Sequence, residues 1–256
     1  MELCPNDFKA SLQSRQRVFG TWLMMDNPVT AEALSFSGLD FLVIDMEHSA
    51  TDVRQARAQL QAIAGGGASA VVRLPSSDRV VAKKVLDLGA QSLMFPMIQS
   101  AQDEQRAVAA TRYSPEGVRG VAVMHRANRY KTVDAYLENA ARDLCVTVQI
   151  ETTEAVANAA EIAAVSGVDG LFVGPGDLSA SVGLIGQVTH PRVLDNVQRV
   201  LELAHAAGKS AGVLAADEDI AQRYAALGFN FIGLGSDLAF MMRTARGAVA
   251  RMRSTR

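Results

Sequence analysis

Short apolar runs alternate with longer amphipathic stretches along the whole chain. Most of these runs are continuously apolar, the pattern expected of parallel strands that are covered on both faces. The stretches between them have helical periodicity, and several end on Gly, which favours the left-handed cap of a helix. Eight runs are predicted to be β-strands, at residues 18–23, 41–45, 70–74, 92–97, 145–150, 170–174, 210–214 and 231–235.

A repeated junction between helix and strand supports this prediction. The segments SGLDFLVID (37–45), SGVDGLFVG (166–174) and LGFNFIGLG (227–235) each carry Gly-x-Asp or Gly-x-Asn ahead of a strand. Eight successive units of this kind predict an α/β fold, a TIM (β/α)8 barrel, with residues 1–256 in a single domain. An open doubly wound sheet is the alternative, because sequence alone does not fix the strand count. One long irregular segment, 112–131, is rich in arginine.

The composition limits which binding partners and which cellular compartment are expected for the protein. Hydrophobic residues make up 49% and charged residues 20% of the chain, as in an ordinary globular protein. Lys and Arg total 25 against 27 Asp and Glu, so the net charge of -2 gives no general attraction to nucleic acid or to a membrane surface. Two cysteines, Cys4 and Cys145, are too few for a disulfide framework and are expected to be free thiols. Without a signal-peptide or membrane-spanning run, the expected location is the cytoplasm.

Polar residues that directly follow a strand are the candidates for catalysis, because the active site of such a barrel lies at the carboxyl ends of its strands. Each has a simpler structural explanation as well: Asp177 can cap a helix, Glu151 can open one, and Arg73 can be an ion-pair partner. Their convergence at one rim favours a catalytic site. These residues are Asp45, Glu47, His48, Arg73, Gln149, Glu151 and Asp177.

The segment DMEHSATD after the second strand brings three polar side chains close together. Asp45, Glu47 and His48 allow three interpretations: a metal site, an acid–base group, or the polar end of a buried strand. Glu151 and Asp177 are a better pair of metal ligands, because they lie 26 residues apart, about one βα unit, and reach the same rim from adjacent strands. Two carboxylates leave positions open on a hard divalent cation for water and substrate oxygens.

A Schiff-base mechanism is disfavoured, since it needs a lysine that faces the pocket. The chain has five lysines, and none is predicted at the carboxyl end of a strand. Lys209 precedes its strand and therefore lies at the opposite end of the barrel. Activation of a carbonyl group is expected to come from a metal instead.

Several motifs, in this order, resemble the metal-dependent (class II) pyruvate aldolases of the HpcH/HpaI family. The resemblance runs from about Phe8 to about Leu238 and rests on DMEHSATD, VVRLP, KKVLDLGAQSLMFPM, TRYSPEGVRGVAVMHRAN, VQIETTEAV, GVDGLFVGPGDLSASVG and HPRV. The HRAN element is closer to the glucarate branch of the family. The resemblance implies aldol cleavage and condensation of 2-keto-3-deoxy (4-hydroxy-2-oxo) acids, with pyruvate and an aldehyde such as tartronate semialdehyde as products.

The resemblance also implies roles for individual residues at the rim. Glu151 and Asp177 match the metal ligands of the family, with Mg²⁺ as the expected cation and Mn²⁺ or Co²⁺ as alternatives. Arg73 matches the arginine that stabilises the pyruvate enolate. His48 matches the catalytic base, with Asp45 beside it as an orienting neighbour. Imidazole suits this role because it exchanges protons readily near neutral pH.

Further positions match residues around the substrate and between subunits. Gln149 and the backbone of Gly174, Pro175 and Gly176 match positions near the pyruvate. Asp87 matches a carboxylate that supports the catalytic histidine across a subunit contact. The family assembles as hexamers, trimers of dimers, with an exchanged C-terminal helix, so the resemblance implies a homo-oligomer.

Three residues depart from the family pattern. Met46 stands where Gly is usual, Gly176 where Ser or Ala is usual, and Met124 where the glucarate enzymes have Ser. The basic residues of the irregular segment can recognise the distal carboxylate of an acidic aldehyde, or they can form an ordinary charged or intersubunit loop. They are Arg112, Arg119, His125, Arg126 and Arg129.

Two other functions remain open from the sequence. One is a different metal-dependent pyruvate-enolate lyase on the same barrel, of the citramalyl- or citryl-lyase type. The other is a non-catalytic barrel that acts as a binding protein, against which the complete set of rim residues argues.

Overall fold

Eight parallel strands form a closed barrel in the computed structural model, which describes residues 5–254. Each strand pairs with its neighbours in chain order, and the first pairs with the last. The predicted TIM barrel is confirmed, and the open sheet is wrong. The strands are β1 (Val18–Leu23), β2 (Phe41–Asp45), β3 (Ser69–Arg73), β4 (Ser92–Phe95), β5 (Cys145–Ile150), β6 (Gly170–Val173), β7 (Ser210–Ala215) and β8 (Phe231–Ser236).

Helices cover the outside of the barrel, and most begin at a side chain that accepts backbone N–H groups. Asn27, Asp52, Asp78, Ser100 and Asp217 are caps of this kind. The helices are α1 (Asp7–Gln13), α2 (Pro28–Ser35), α3 (Val53–Ile63), α4 (Arg79–Asp87), α5 (Ala101–Thr111), α6 (Tyr136–Asn139), α7 (Thr153–Ala157), α8 (Ala159–Ala163), α9 (Pro175–Ser181), α10 (Pro191–Ala206), α11 (Glu218–Leu227) and α12 (Asp237–Ser254). Between residues 5 and 254, no helix combines the length and the apolar character needed to cross a bilayer.

Strand β4 is shorter than predicted. The apolar run continues to residue 97, but the strand ends at Phe95. Pro96 has no N–H to donate to the ladder, and Met97 adopts a left-handed backbone conformation with φ of 54°. The chain therefore turns away at the rim two residues earlier than the hydrophobic pattern indicates.

The amino end of the barrel is closed by helix α1. Phe8 enters the barrel and lies 5.1 Å from Phe41 and 5.8 Å from Phe231 between ring centroids. These rings fill the interior because the facing strands carry glycine: a methyl group at Gly212 would lie 2.4 Å from the Phe231 ring. Cys145 on β5 is a buried free thiol, as predicted, whereas Cys4 lies outside the described residues. With the amino end filled, access to the interior is from the carboxyl end.

The irregular segment belongs to the connection between α5 and β5, so it lies at the amino end of the barrel. Its Arg119 is buried, donates to Asp87 at 2.8 Å and stacks on Tyr113 at 4.6 Å. Arg126 donates to the carbonyl oxygen of Leu88 at 2.7 Å. Within one chain, these arginines face away from the predicted catalytic rim.

Helix α12 carries exposed apolar side chains, while an apolar groove on the barrel wall is open. Leu238, Met241, Met242, Val249 and Met252 are all exposed on this helix. The groove has a volume of about 490 Å³, and its lining includes residues of β1, α11 and β8 such as Phe19, Ala225 and Leu234. Apolar surface of this extent on a helix is typical of a subunit contact.

Candidate active site

Arg73 is fixed by a carboxylate on the neighbouring strand. Asp45 and Arg73 end β2 and β3 and are partners in the sheet register. The carboxylate of Asp45 accepts Nε of Arg73 at 3.0 Å and Nη2 at 2.6 Å, a bidentate pair that fixes the plane of the guanidinium. The guanidinium also lies 5.8 Å from the ring of Trp22. Both members are buried, so the arginine is held in one orientation before any ligand binds.

The loop after β2 places Glu47 and His48 beside this pair. Oδ1 of Asp45 accepts the backbone N–H groups of Glu47 at 2.9 Å and His48 at 3.2 Å. Oε2 of Glu47 lies 3.1 Å from Nη1 of Arg73 and 3.7 Å from Nε2 of His48. The carboxylate of Asp45 therefore contacts the backbone N–H of His48 but not its ring, and it also accepts the two hydrogen bonds from Arg73.

The imidazole of His48 is free to meet a ligand. Its side chain is 57% exposed. Among residues 5–254, no hydrogen bond to either ring nitrogen is formed, and Glu47 is the nearest charged partner. Met46, the unusual residue before Glu47, is explained by packing: its side chain is buried in the outer core, and its N–H donates to the carbonyl oxygen of Arg73 at 3.0 Å.

Glu151 is a buried carboxylate held from two sides. Oε1 accepts Nε2 of Gln149 at 2.9 Å, and Oε2 accepts the backbone N–H of Met97 at 3.1 Å. Burial raises the pKa of Glu151 to about 7. The Met97 N–H opposes this rise, and the charges of Glu47 and Asp177 add to it.

Gly174 to Asp177 form the junction between β6 and α9. Gly174 is the residue before the helix, Pro175 is its first residue, and Asp177 lies in its first turn. A methyl group at Gly174 would lie 2.5 Å from Oε1 of Glu151, so only glycine leaves space for that carboxylate. A methyl group added at Gly176, by contrast, would have open space around it to 4 Å. The Ser or Ala expected there would therefore fit without a clash.

These residues surround one cavity at the carboxyl end, with a volume of about 550 Å³. Apolar side chains such as Phe172, Val188, Leu214 and Ile220 form its other walls. A second cavity of equal volume lies at the amino end and contains none of the residues predicted at the catalytic rim; Arg126 and Arg129 of the basic segment line it. The predicted residues that line the first cavity are His48, Arg73, Gln149, Glu151, Gly174, Pro175, Gly176 and Asp177.

The charges of this cavity fit a divalent cation. Asp45 and Glu47 both contact the single positive charge of Arg73, and Glu151 and Asp177 lie close by, so these carboxylates repel one another. Burial raises the pKa of Glu47; the charges of Arg73 and His48 oppose this rise, and those of Asp45 and Asp177 add to it. A cation would relieve the repulsion. In the described part of the chain, no three His, Cys, Asp or Glu side chains already form a metal-binding group. A cation held by Glu151 and Asp177 would therefore take further ligands from water and substrate.

Comparison with known proteins identifies the family of this chain. Residues 18–244 match the sequence model of the family described as HpcH/HpaI aldolase/citrate lyase. The chain belongs to this family. The predicted family and the predicted reaction class, a carbon–carbon lyase of the aldolase type, are thereby confirmed.

Individual HpcH/HpaI relatives cover nearly all of the chain. A 5-keto-4-deoxy-D-glucarate aldolase of Shigella dysenteriae serotype 1 (strain Sd197) is 42% identical over 237 residues, 93% of each chain. The crystal structure of a family protein from Burkholderia cenocepacia J2315 is 39% identical, with a TM-score of 0.95, over 97% of this chain and 99% of that one. The citrate synthase SbnG is 28% identical, with a TM-score of 0.86, over 96% and 97%.

HpcH/HpaI proteins are generally dependent on a divalent metal, which agrees with the carboxylates of the cavity. Sequence reasoning missed two contributors to this site. Trp22, which lies beside Arg73, is part of an apolar run and gives no polar signal. Met97 contributes its backbone N–H to Glu151, and the preceding Pro96 is the sequence feature that indicates an unusual backbone conformation there.

The predicted residue Asp87 lies far from the cavity of its own chain. Asp87 is the last residue of α4, and this helix runs back from the carboxyl to the amino end of the barrel. It therefore lies at the end opposite to His48, paired with Arg119. Any contact between Asp87 and a catalytic histidine has to be made by a second copy of the chain.

Proposed function

We propose that this protein cleaves 2-keto-3-deoxy sugar acids into pyruvate and a short acidic aldehyde such as tartronate semialdehyde, and catalyses the reverse condensation. The main support is one observation: a fully paired arginine, an exposed histidine and two carboxylates from adjacent strands line a single cavity. The 42% identity to a 5-keto-4-deoxy-D-glucarate aldolase favours a related sugar acid as substrate.

Glu151 and Asp177 would hold a divalent cation, and we propose Mg²⁺, with Mn²⁺ or Co²⁺ as replacements. When bound, such a cation polarises the keto group of pyruvate and opposes the negative charge that develops there. The other ligand positions are left to water and substrate. Gln149 keeps one oxygen of Glu151 in place, and the Met97 N–H keeps the other.

Arg73 opposes the same developing charge from the protein side. Its guanidinium is held by Asp45 and Glu47, so no reorganisation is needed when the enolate forms. Gln149 and the backbone of Gly174, Pro175 and Gly176 lie in the same cavity and would contact bound pyruvate. The arrangement orients the three-carbon product rather than the aldehyde.

His48 is the proposed acid–base residue. In cleavage it takes the proton of the substrate hydroxyl, and in condensation it takes a methyl proton of pyruvate, directly or through water. Its exposed imidazole lines the cavity and can reach a ligand there, and Nε2 lies 3.7 Å from Oε2 of Glu47.

We further propose a homohexamer, a trimer of dimers, in which α12 of one copy covers the open groove at Phe19 and Leu234 of another. In such an assembly Asp87 of one copy supports His48 of its neighbour. A cytoplasmic location, and a single domain spanning residues 1–256, remain predictions.

The deciding experiment is deuterium exchange at the methyl group of pyruvate, followed by NMR. Exchange is expected with Mg²⁺, is lost after treatment with a chelator, and returns when Mg²⁺ is added back. Exchange that survives the chelator would contradict the proposed metal dependence. Exchange that persists in His48→Ala would contradict the proposed role of His48 as the base. A wild-type protein without any exchange would contradict the whole proposal.

Condensation of pyruvate with tartronate semialdehyde separates the aldolase from its nearest alternative. A lyase of the citramalyl or citryl type would enolise pyruvate and refuse this aldehyde. Formation of the condensation product, measured by mass spectrometry, is the expected result.

A further inference from the structure

A buried polar network holds the loop that carries His48. Its first member is Asp26, in the connection between β1 and α2. Oδ1 of Asp26 accepts the hydroxyl of Thr51 at 3.1 Å and Nε2 of Gln59 at 3.4 Å. Gln59 also donates to the Thr51 hydroxyl at 3.3 Å, which joins the three side chains into a closed set.

Thr51 and Gln59 have little contact with solvent. Thr51 is 5% exposed, and Gln59 on α3 is 0% exposed. A buried hydroxyl or amide without an acceptor is unfavourable, so Asp26 satisfies donors that water does not reach. The residue is half-buried and takes a left-handed backbone conformation with φ of 50°, which Asp tolerates better than most residues. Such a conformation persists where surrounding contacts require it.

The network reaches the start of the loop through Ser49. The hydroxyl of Ser49 accepts the backbone N–H of Thr51 at 3.1 Å and donates to the carbonyl oxygen of Asp45. The loop is therefore tied to β2 at Asp45 and to Asp26 at Thr51. His48 lies between these two points.

His48 depends on this loop because, among residues 5–254, no hydrogen bond holds its ring and the one charged group beside it, Glu47, belongs to the same loop. Its imidazole is more than half exposed, and the hydrogen bond of the residue to Asp45 is made by the backbone N–H. The position of the ring is thus set by residues 46–51 rather than by contacts of the ring itself.

We infer that Asp26, through Thr51 and Gln59, is a positioning residue for His48. This inference rests on the proposed role of His48 as the base. Loss of the network lets the loop move, and misplacement of a catalytic group by about 1 Å can cost about 100-fold in rate. Binding of pyruvate at Arg73 and of the cation at Glu151 does not involve this network.

Three variants of Asp26 separate its two features. Asp26→Asn keeps both the side-chain oxygen that accepts hydrogen bonds and the ability to adopt a positive φ. Asp26→Gly keeps only the ability to adopt a positive φ. Asp26→Ala loses both features. Thr51→Val removes the hydroxyl at nearly constant shape, and Thr51→Ser restores it.

The expected kinetic result is a change in kcat with KM for pyruvate constant. For pyruvate deuterium exchange, Asp26→Gly and Thr51→Val are expected to lower kcat by about 10- to 100-fold. Asp26→Asn and Thr51→Ser should remain within about threefold of wild type, and all variants should bind Mn²⁺ alike. Wild-type kcat in Asp26→Gly and Thr51→Val would overturn the inference, as would a loss of kcat that Thr51→Ser shares.

Hydrogen exchange of backbone amides tests the same inference without any turnover. Peptides that cover residues 46–52 should exchange faster in Asp26→Gly and Thr51→Val than in wild type, and Asp26→Asn should match wild type. Equal exchange in all of them would overturn the inference even if the enzyme is active. The two proposals can also be told apart. If the wild-type protein exchanges no pyruvate protons but the variants show this pattern of amide exchange, the proposed function is rejected and the role of Asp26 in holding the loop is supported.

Discussion

Two arginine–aspartate pairs, each with a buried arginine, lie at opposite ends of the barrel and serve different purposes. Arg73 at the carboxyl end forms ion pairs with Asp45 and Glu47 and lines an open cavity. Arg119 at the amino end pairs with Asp87 and is covered by Tyr113. Chemically the pairs are alike, but Glu47, Glu151 and Asp177 lie close to the first pair, whereas Tyr113 and Tyr136 lie close to the second. An ion pair therefore indicates a catalytic site by its surroundings rather than by its presence.

Replacing Arg73 by lysine should give the largest effect. Lysine keeps the charge but loses the bidentate contact with Asp45 and the fixed plane of the guanidinium. We expect kcat/KM for aldol cleavage to fall by about 10²–10³-fold, the loss typical of a missing donor to a developing charge. Steady-state kinetics with a coupled pyruvate assay measures it. Activity within threefold of wild type would remove Arg73 from the proposed mechanism.

Glu104 shows what happens to a carboxyl that has neither an arginine nor a cation. It is 0% exposed, and no hydrogen bond to its carboxyl oxygens is formed among residues 5–254. Burial raises its pKa to about 8, with only a weak opposing effect of Lys209. The folded state then retains a proton that the unfolded state releases above about pH 4.5, so stability falls as the pH rises from there to about 8.

Glu104→Gln should therefore be more stable than wild type by about 2 kcal/mol at pH 8, with a smaller difference at pH 5. Urea denaturation at the two pH values measures this difference. If the free energies of unfolding of Glu104→Gln and wild type differ by the same amount at both pH values, Glu104 does not titrate in this range.

Gly174 and Gly176 form a matched pair for the carboxyl-end cavity. Gly174→Ala places a methyl group 2.5 Å from Oε1 of Glu151, whereas Gly176→Ala meets open space. We expect the first to weaken Mn²⁺ binding by about tenfold, as displacement of a metal ligand does, and the second to leave it unchanged. Isothermal titration calorimetry distinguishes them. Equal affinities in the two variants would argue against Glu151 as a ligand.

Arg119→Lys should give the smallest effect and the clearest contrast with Arg73→Lys. The change weakens the packing of the amino-end loop on Asp87 and Tyr113, so the free energy of unfolding should fall by about 1 kcal/mol. Mn²⁺ affinity of the same sample should stay at the wild-type value, since the pair lies at the other end of the barrel. A parallel loss of Mn²⁺ affinity would mean that the two ends are not independent.

The sequence predicted the barrel because its continuous apolar runs and helical stretches repeat in order, and the bounds of β1, β2 and β5 agree with the prediction. The rim residues followed from their position after strands. The contact of Met97 with Glu151 could not be predicted, since it depends on a left-handed backbone and a buried N–H. The pairing of Asp45 with Arg73 likewise depends on strand register, which the polar pattern does not specify.

Helix α1 has a consequence for the order of events at the site. With Phe8 filling the amino end, substrate and both products share one passage at the carboxyl end. In the proposed mechanism, pyruvate binds at Arg73 at the inner end of that passage, and the aldehyde lies nearer its mouth. The aldehyde must leave first in cleavage and arrive last in condensation. A blocked barrel floor thus turns a two-product reaction into an ordered one.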